Sequence, residues 1–232
     1  MNEHKTIPED NGLLALLSPD AREELVVERM WLAGGASILP SGEAVGHVFF
    51  PTTAIVGVVG NSSDGRIIEV GLCGHEGAAG TAALLGGSVS ALERTVQISG
   101  EVFRTRLENV QREFNKAGDL QRGILRFTQG FTHQVAMTVI CSRFHTIEQR
   151  LVRWLLMRHD RLGDKIIPVT QEYIGQMLGA NRTTITLAAA QLQQLGYISY
   201  TWGRIIISDR EAMEAIVCEC YFLEGVHQKQ ES

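Results

Sequence analysis

Residues 171–192, QEYIGQMLGANRTTITLAAAQL, restrict the possible folds of this chain more than any other stretch. Counted from Gln171, glycine stands at the fifth position (Gly175) and again at the ninth (Gly179), and isoleucine stands at the fifteenth (Ile185). Two short helices that cross closely need a small residue where their backbones meet. The turn between them needs a residue that tolerates positive φ, which favours glycine. An apolar anchor then fixes the second helix on the first. Ile174, Leu178, Ala188 and Leu192 supply the rest of an inner face. The pattern is that of a helix-turn-helix.

Asn181 is placed to N-cap the second helix, with Arg182, Thr183 and Thr184 in its first turn. The N-terminal end of such a helix is the part that reaches base edges in a major groove. An arginine there can pair with guanine O6 and N7, and a threonine can donate, accept or touch a thymine methyl. Thr186 follows one turn later, with Ala189, Ala190 and Gln193 expected on the same exposed face. Downstream, 196–200 and 205–207 read as two short strands around a tight turn, and 166–169 supplies a third strand. Together they make a wing, and Arg204 beside its turn is a candidate phosphate contact.

Net charge is −5, which at first argues against nucleic acid. Its distribution qualifies that reading. Residues 1–145 hold 12 basic and 16 acidic side chains (−4), 146–208 hold 7 and 4 (+3), and 209–232 hold 2 and 6 (−4). The one basic segment contains the helix-turn-helix, and DNA binding needs local neutralisation only. A surplus this small predicts weak binding by a monomer, and hence a dimer.

The rest of the chain falls into distinct textures. Leu13, Leu14, Leu16 and Leu17 form an apolar cluster, and Ser18-Pro19-Asp20 opens a helix. From 31 to 103, short β-branched runs (54–59, 66–72, 95–98) alternate with turn signals such as 61–65, which suggests a small antiparallel sandwich or barrel. A helical turn is expected within 74–87. From 119 to 143 a long helix is predicted, roughly 37 Å in length. Leu120, Ile124, Phe127, Phe131, Val135 and Thr138 recur on it at steps of three and four, a stripe suited to a dimer seam. Thr146 and Gln149 form a capping box for the next helix, which Gly163-Asp164 ends. Residues 209–221 read as one further acidic helix.

Several classes are disfavoured. The polar N-terminus is not a signal peptide, and no apolar run approaches the ~20 residues of a membrane helix, so a cytoplasmic protein is expected. No nucleophile–base arrangement, P-loop or zinc signature is visible, and an enzyme is not expected. Cys73, Cys141, Cys218 and Cys220 are too few for a disulfide framework. Cys218 and Cys220 have no second pair at metal-ligand spacing, so no metal is assigned.

At VTQEYIGQMLGANRTTITLAAAQLQQLGYI the chain resembles the Crp/Fnr family of bacterial transcription factors, with Thr170, Ile174, Gly175, Gly179 and Arg182 matching that family's pattern. The resemblance covers nearly the whole length. It implies an α+β, two-domain architecture: a β-roll of cyclic-nucleotide-binding type with N-terminal helices (1–117), a dimerisation helix (118–145), and a winged helix-turn-helix with a C-terminal helix (146–222). It implies a homodimeric, sequence-specific regulator on double-stranded DNA, with RNA polymerase as a further contact. Thr170 and Gln171, where the first helix opens, complete the expected DNA-contact set. Thr183 and Leu187 stand where well-known members carry Glu and Arg, so a different operator is implied.

The same resemblance places a ligand pocket in the β-roll. Gly74, Glu76 and Gly77 stand near its glycine–glutamate element, and Arg94-Thr95 superficially suggests its phosphate cassette. Counting back from Gly100-Glu101-Val102 puts Ser90, Ala91 and Leu92 at the cassette instead, so cyclic-nucleotide binding is disfavoured and no cofactor is assigned. The alternative reading is a ligand-sensing module whose DNA binding is gated by an effector. An iron–sulfur sensor of the Fnr type is disfavoured because 1–72 contain no cysteine, and haem on His47, His75 or Cys73 is disfavoured too.

Overall fold

A computed structural model of the protein describes residues 7–163 and 166–223. Asp164, expected to help end a helix, lies outside them. The chain divides into two compact units, one formed by 1–58 with 72–129 and the other by 59–71 with 130–232. The division falls inside the long helix, and it places the tip of one hairpin with the C-terminal part.

The first unit opens with the leucine cluster. Asn11, fully buried, donates to the carbonyls of Pro51 and Gly77 (2.8 Å each) and accepts from the Leu13 and Leu14 amides. Those bonds hold the N-terminal segment against the sheet. Helix α1 (Pro19–Leu25) is N-capped by Ser18, with Pro at its first position as the sequence predicts. Seven strands follow: β1 (Glu28–Leu32), β2 (Ser37–Leu39), β3 (His47–Pro51), β4 (Ile55–Asn61), β5 (Ile67–Cys73), β6 (Glu93–Ile98) and β7 (Gly100–Arg106). They form a sheet of order β1-β7-β3 and another of order β2-β6-β4-β5. The expected helical turn is the 3-10 helix Thr81–Leu85.

Two apolar clusters fill this unit. One joins Leu14, Leu25, Phe50 and Phe103 to α2 (Leu107–Asn115) and to the start of α3 (Asp119–Phe144), where Leu120 and Ile124 are fully buried. The other joins Phe49, Val56 and Val102 between the strands. Gly77 is required by packing, since a Cβ there would lie 1.9 Å from the Phe127 ring.

In the second unit, α4 (Ile147–Leu162) begins at the predicted Thr146–Gln149 capping box and ends at Gly163 with φ 60°. A wing sheet of order β8-β10-β9 is built from β8 (Ile166–Pro168), β9 (Ile198–Thr201) and β10 (Arg204–Ile207). Between β8 and β9 lie α5 (Gln171–Leu178) and α6 (Arg182–Gln194). The tail corrects one expectation. It is two short helices, α7 (Arg210–Ile216) and α8 (Cys220–Leu223), because Val217 adopts an extended conformation (φ −67°, ψ 150°) that breaks the helix.

Buried charge ties this unit together. Arg158 is almost fully buried, pairs with Glu69, and stacks 3.3 Å over the Trp154 ring. Arg210 pairs with Asp160 at 2.7 Å, anchoring α7 on α4. Among the described residues, no helix is long and apolar enough to cross a membrane.

Candidate nucleic-acid interface

The helix-turn-helix is assembled by the local forces that its sequence announces. Gly179 takes φ 61° and ends α5. At Gly175 an added Cβ would stand 2.8 Å from the Ala180 carbonyl oxygen, so only glycine allows this approach of turn to helix. Ile174, Ile185, Ala188 and Leu192 are buried at the crossing. Arg150 of α4 donates to the Leu178 carbonyl, which fastens the end of α5. Burial pushes the Arg150 pKa below its usual value. Tyr173 of α5 is half-buried, and that burial, opposed by nearby Arg158, pushes its phenol up to about 12.

The start of α6 is built around Asn181. Its Oδ1 accepts from the Thr184 amide and from the Thr184 hydroxyl, both at 2.8 Å. Thr184 is therefore engaged in the cap. The Thr186 hydroxyl is held by the Gln171 side chain (2.7 Å) and the Arg182 carbonyl (2.9 Å). Thr170 N-caps α5 by accepting from the Tyr173 amide at 3.2 Å. Of the expected contact residues, Arg182 and Thr183 are exposed on the first turn of α6; Thr170 and Thr186 are exposed as well but, like the half-buried Gln171 and Thr184, have side chains already hydrogen-bonded within the motif. Leu187 (68% exposed) and Ala190 extend the exposed face. Ala189, expected on that face, is buried at the crossing.

The wing carries a feature that sequence reasoning passed over. Trp202 and Gly203 form its two-residue turn with φ 44° and 77°, both left-handed. This is the geometry a tight hairpin requires, and it usually falls to Asn or Gly. Trp202 is fully exposed. The signal available in the sequence was Trp202 itself, a bulky residue next to Gly203 in a tight turn, where the left-handed conformation costs it about 1–2 kcal/mol. Arg204 beside it is exposed.

The basic surplus of 146–208 sits elsewhere than the sequence suggests. Arg153, Arg158 and Arg161 are buried in α4, and Arg150 is half-buried. Within 171–207 the only cations are Arg182 and Arg204. The surface that would face DNA is therefore nearly neutral.

The expected dimer stripe also turns inward. Leu120 and Ile124 belong to the first unit's core, and Phe127 lies against Gly77. The space a Gly71 Cβ would need is taken by Phe131 (2.9 Å), and the Thr138 hydroxyl accepts from Arg153. Val135 is half-buried. The exposed face of α3 carries Leu125, Thr132 and Val139 at steps of seven, with Gln129 and Ala136 between them and Arg143 beyond. Periodicity identified an apolar stripe on this helix but could not say what covers it.

The expected ligand residues are occupied locally. The Glu76 carboxylate accepts from the Gly74 amide at 3.1 Å, and Arg94 donates to the Leu92 carbonyl at 2.6 Å. Thr95 pairs with Ser37 in the sheet.

A different cluster gathers metal-ligating side chains: Cys141 and His145 at the end of α3, with Cys218 and Cys220 of the tail. Sequence spacing showed Cys218 and Cys220 without a partner pair. The overlooked signal was Cys141 and His145, four residues apart and so on one helix face.

Comparison with known proteins agrees with this geometry. Residues 149–216 match the Crp-like helix-turn-helix domain family. A search of curated proteins finds no match. Among solved structures, FixK2 from Bradyrhizobium japonicum superposes with a TM-score of 0.72 at 19% identity, covering 84% of this chain and 98% of its own. TTHB099, a CRP-family transcriptional regulator from Thermus thermophilus, gives 0.67 at 20%, covering 80% and 95%. The c-di-GMP-responsive global regulator CLP of Xanthomonas campestris gives 0.67 at 14%, covering 83% and 100%. Residues 149–216 thus match the Crp-like helix-turn-helix domain, on a chain whose fold is similar to that of these solved regulators.

Proposed function

We propose that this protein is a homodimeric transcription regulator that reads duplex DNA through the N-terminal turn of α6. The observation that carries the reading is the exposed Arg182–Thr183 pair on a helix start fixed by the Asn181 cap and the Gly175 crossing. Arg182 is suited to a guanine edge, and Thr183 and Leu187 to hydroxyl and methyl contacts with bases. Trp202 and Arg204 on the wing lie against the backbone of the adjacent groove. Two copies associate through the exposed face of α3, with Leu125, Thr132 and Val139 in a seven-residue repeat.

The test is selection of binding sites from random duplexes, followed by anisotropy titration of the winner. A two-fold-symmetric site is expected, and Arg182→Ala should lose about 1–3 kcal/mol of discrimination at one base pair of each half-site. Equal affinity for the selected site and random DNA at every salt concentration would refute the reading.

A further inference from the structure

We propose that Cys141, His145, Cys218 and Cys220 form a closed, four-ligand site for a single zinc ion that fastens the C-terminal tail to the end of α3. The Sγ atoms of Cys141 and Cys218 stand 3.6 Å apart, and Cys220 Sγ stands 3.7 Å from His145 Nδ1. All four ligand atoms lie within 4.8 Å of one another. Tetrahedral zinc with Zn–S near 2.3 Å places its sulfurs about 3.8 Å apart, and the shorter Zn–N bond brings nitrogen slightly closer. The spacing therefore suits one ion; thiolates bound to different irons of a cluster stand farther apart.

The surroundings are those of a structural metal site. The three cysteines are 1–3% exposed. His145 presents Nδ1 to the sulfurs, while its Nε2 lies 3.2 Å from the Glu219 carboxylate. That second contact is the outer-shell arrangement that fixes the tautomer and orientation of a metal-bound imidazole. The backbone is shaped to suit. Cys141 and His145 share one helical turn, closed by the His145 amide on the Cys141 carbonyl (3.2 Å), and the break at Val217 brings Cys218 and Cys220 to them with Glu219 between.

Charge is partly offset. Three thiols each release a proton on binding, and three thiolates with Zn2+ and a neutral imidazole sum to −1. Arg153, 7% exposed, lines the same cavity of about 30 Å3 as Cys141 and opposes that charge, while the Glu219 carboxylate is largely in solvent.

The experiment uses the full-length protein, reduced and supplied with Zn2+, with metal content read by mass spectrometry. One zinc per chain is expected. Cobalt in its place should show the intense visible bands of a tetrahedral thiolate site, and chelation should expose three further thiols to a thiol reagent. Cys141→Ser and Cys218→Ser should abolish stoichiometric uptake, while Cys73→Ser should leave it intact. Glu219→Gln should weaken affinity on the order of 10–100-fold with the fold unchanged. Should the cysteine variants fail to fold, His145→Gln and Glu219→Gln carry the test through their zinc affinities. No zinc uptake by the folded, reduced protein would overturn the proposal. So would iron with acid-labile sulfide at full occupancy, or undiminished affinity in both His145→Gln and Glu219→Gln.

Discussion

Replacing Arg158 with methionine tests how the second unit holds together. The guanidinium is 1% exposed, pairs with the Glu69 carboxylate at 8%, and lies over the Trp154 ring. Methionine keeps much of the volume but leaves the Glu69 charge buried without this partner. Removing one member of a buried pair costs about 3–5 kcal/mol. The lost stacking on Trp154 adds up to about 2 kcal/mol, offset in part if Glu69 rotates toward water. We expect a net loss near 4 kcal/mol. Urea unfolding can read this through Trp154 alone in a Trp31→Phe, Trp202→Phe background, since the chain has three tryptophans. With an m-value of about 2 kcal/mol/M, the midpoint should fall by roughly 2 M. Adding Glu69→Met should restore most of the loss, because well-packed apolar residues often replace a buried pair at little cost. A single-variant loss below about 1 kcal/mol, or additive losses in the double variant, would refute the reasoning.

Three further outcomes are expected. Gly175→Val should cost about 1–3 kcal/mol and abolish DNA binding, because its Cβ meets the Ala180 carbonyl; circular dichroism and anisotropy together check this. Stability should fall as pH rises between about 10 and about 12. In that window folded Tyr173 keeps a proton that the unfolded chain, titrating near 10, gives up; below pH 10 both states are protonated and the difference vanishes. Tyr173→Phe should lessen that decline in urea-midpoint measurements without removing it, because burial raises the Tyr221 phenol too. Val139→Glu should halve the mass seen by light scattering while leaving the fold intact, since the side chain is 63% exposed in the single chain; an unchanged dimer mass would move the seam elsewhere.

The parts of this structure that were legible in the sequence are those decided within a few residues. Gly175, Gly179 and Asn181 each answer a local steric or hydrogen-bonding demand, and residue type alone reports it. The wing and the Thr146 capping box are of the same kind. What escaped depends on distant partners. Leu120 and Ile124 look like seam residues until the sheet of their own unit covers them. The arginines of α4 count as basic charge until burial removes them from the surface. The residues of the proposed zinc site come from segments separated by some 73 to 79 residues, and the break at Val217 brings the second pair to the first.

The neutrality of the α6 face has a consequence for how such a regulator would find its site in a genome. Non-specific attachment to DNA comes almost entirely from phosphate neutralisation, with a salt exponent near −0.9 per contact. A dimer offering only Arg182 and Arg204 from each copy's helix-turn-helix and wing has at most four such contacts there, for an exponent of about −4. Random sequence would hold it briefly, so little of the cellular pool would be sequestered on the chromosome. Occupancy of a true site would then follow the protein's concentration closely, and even with so few contacts a doubling of salt would weaken it roughly tenfold.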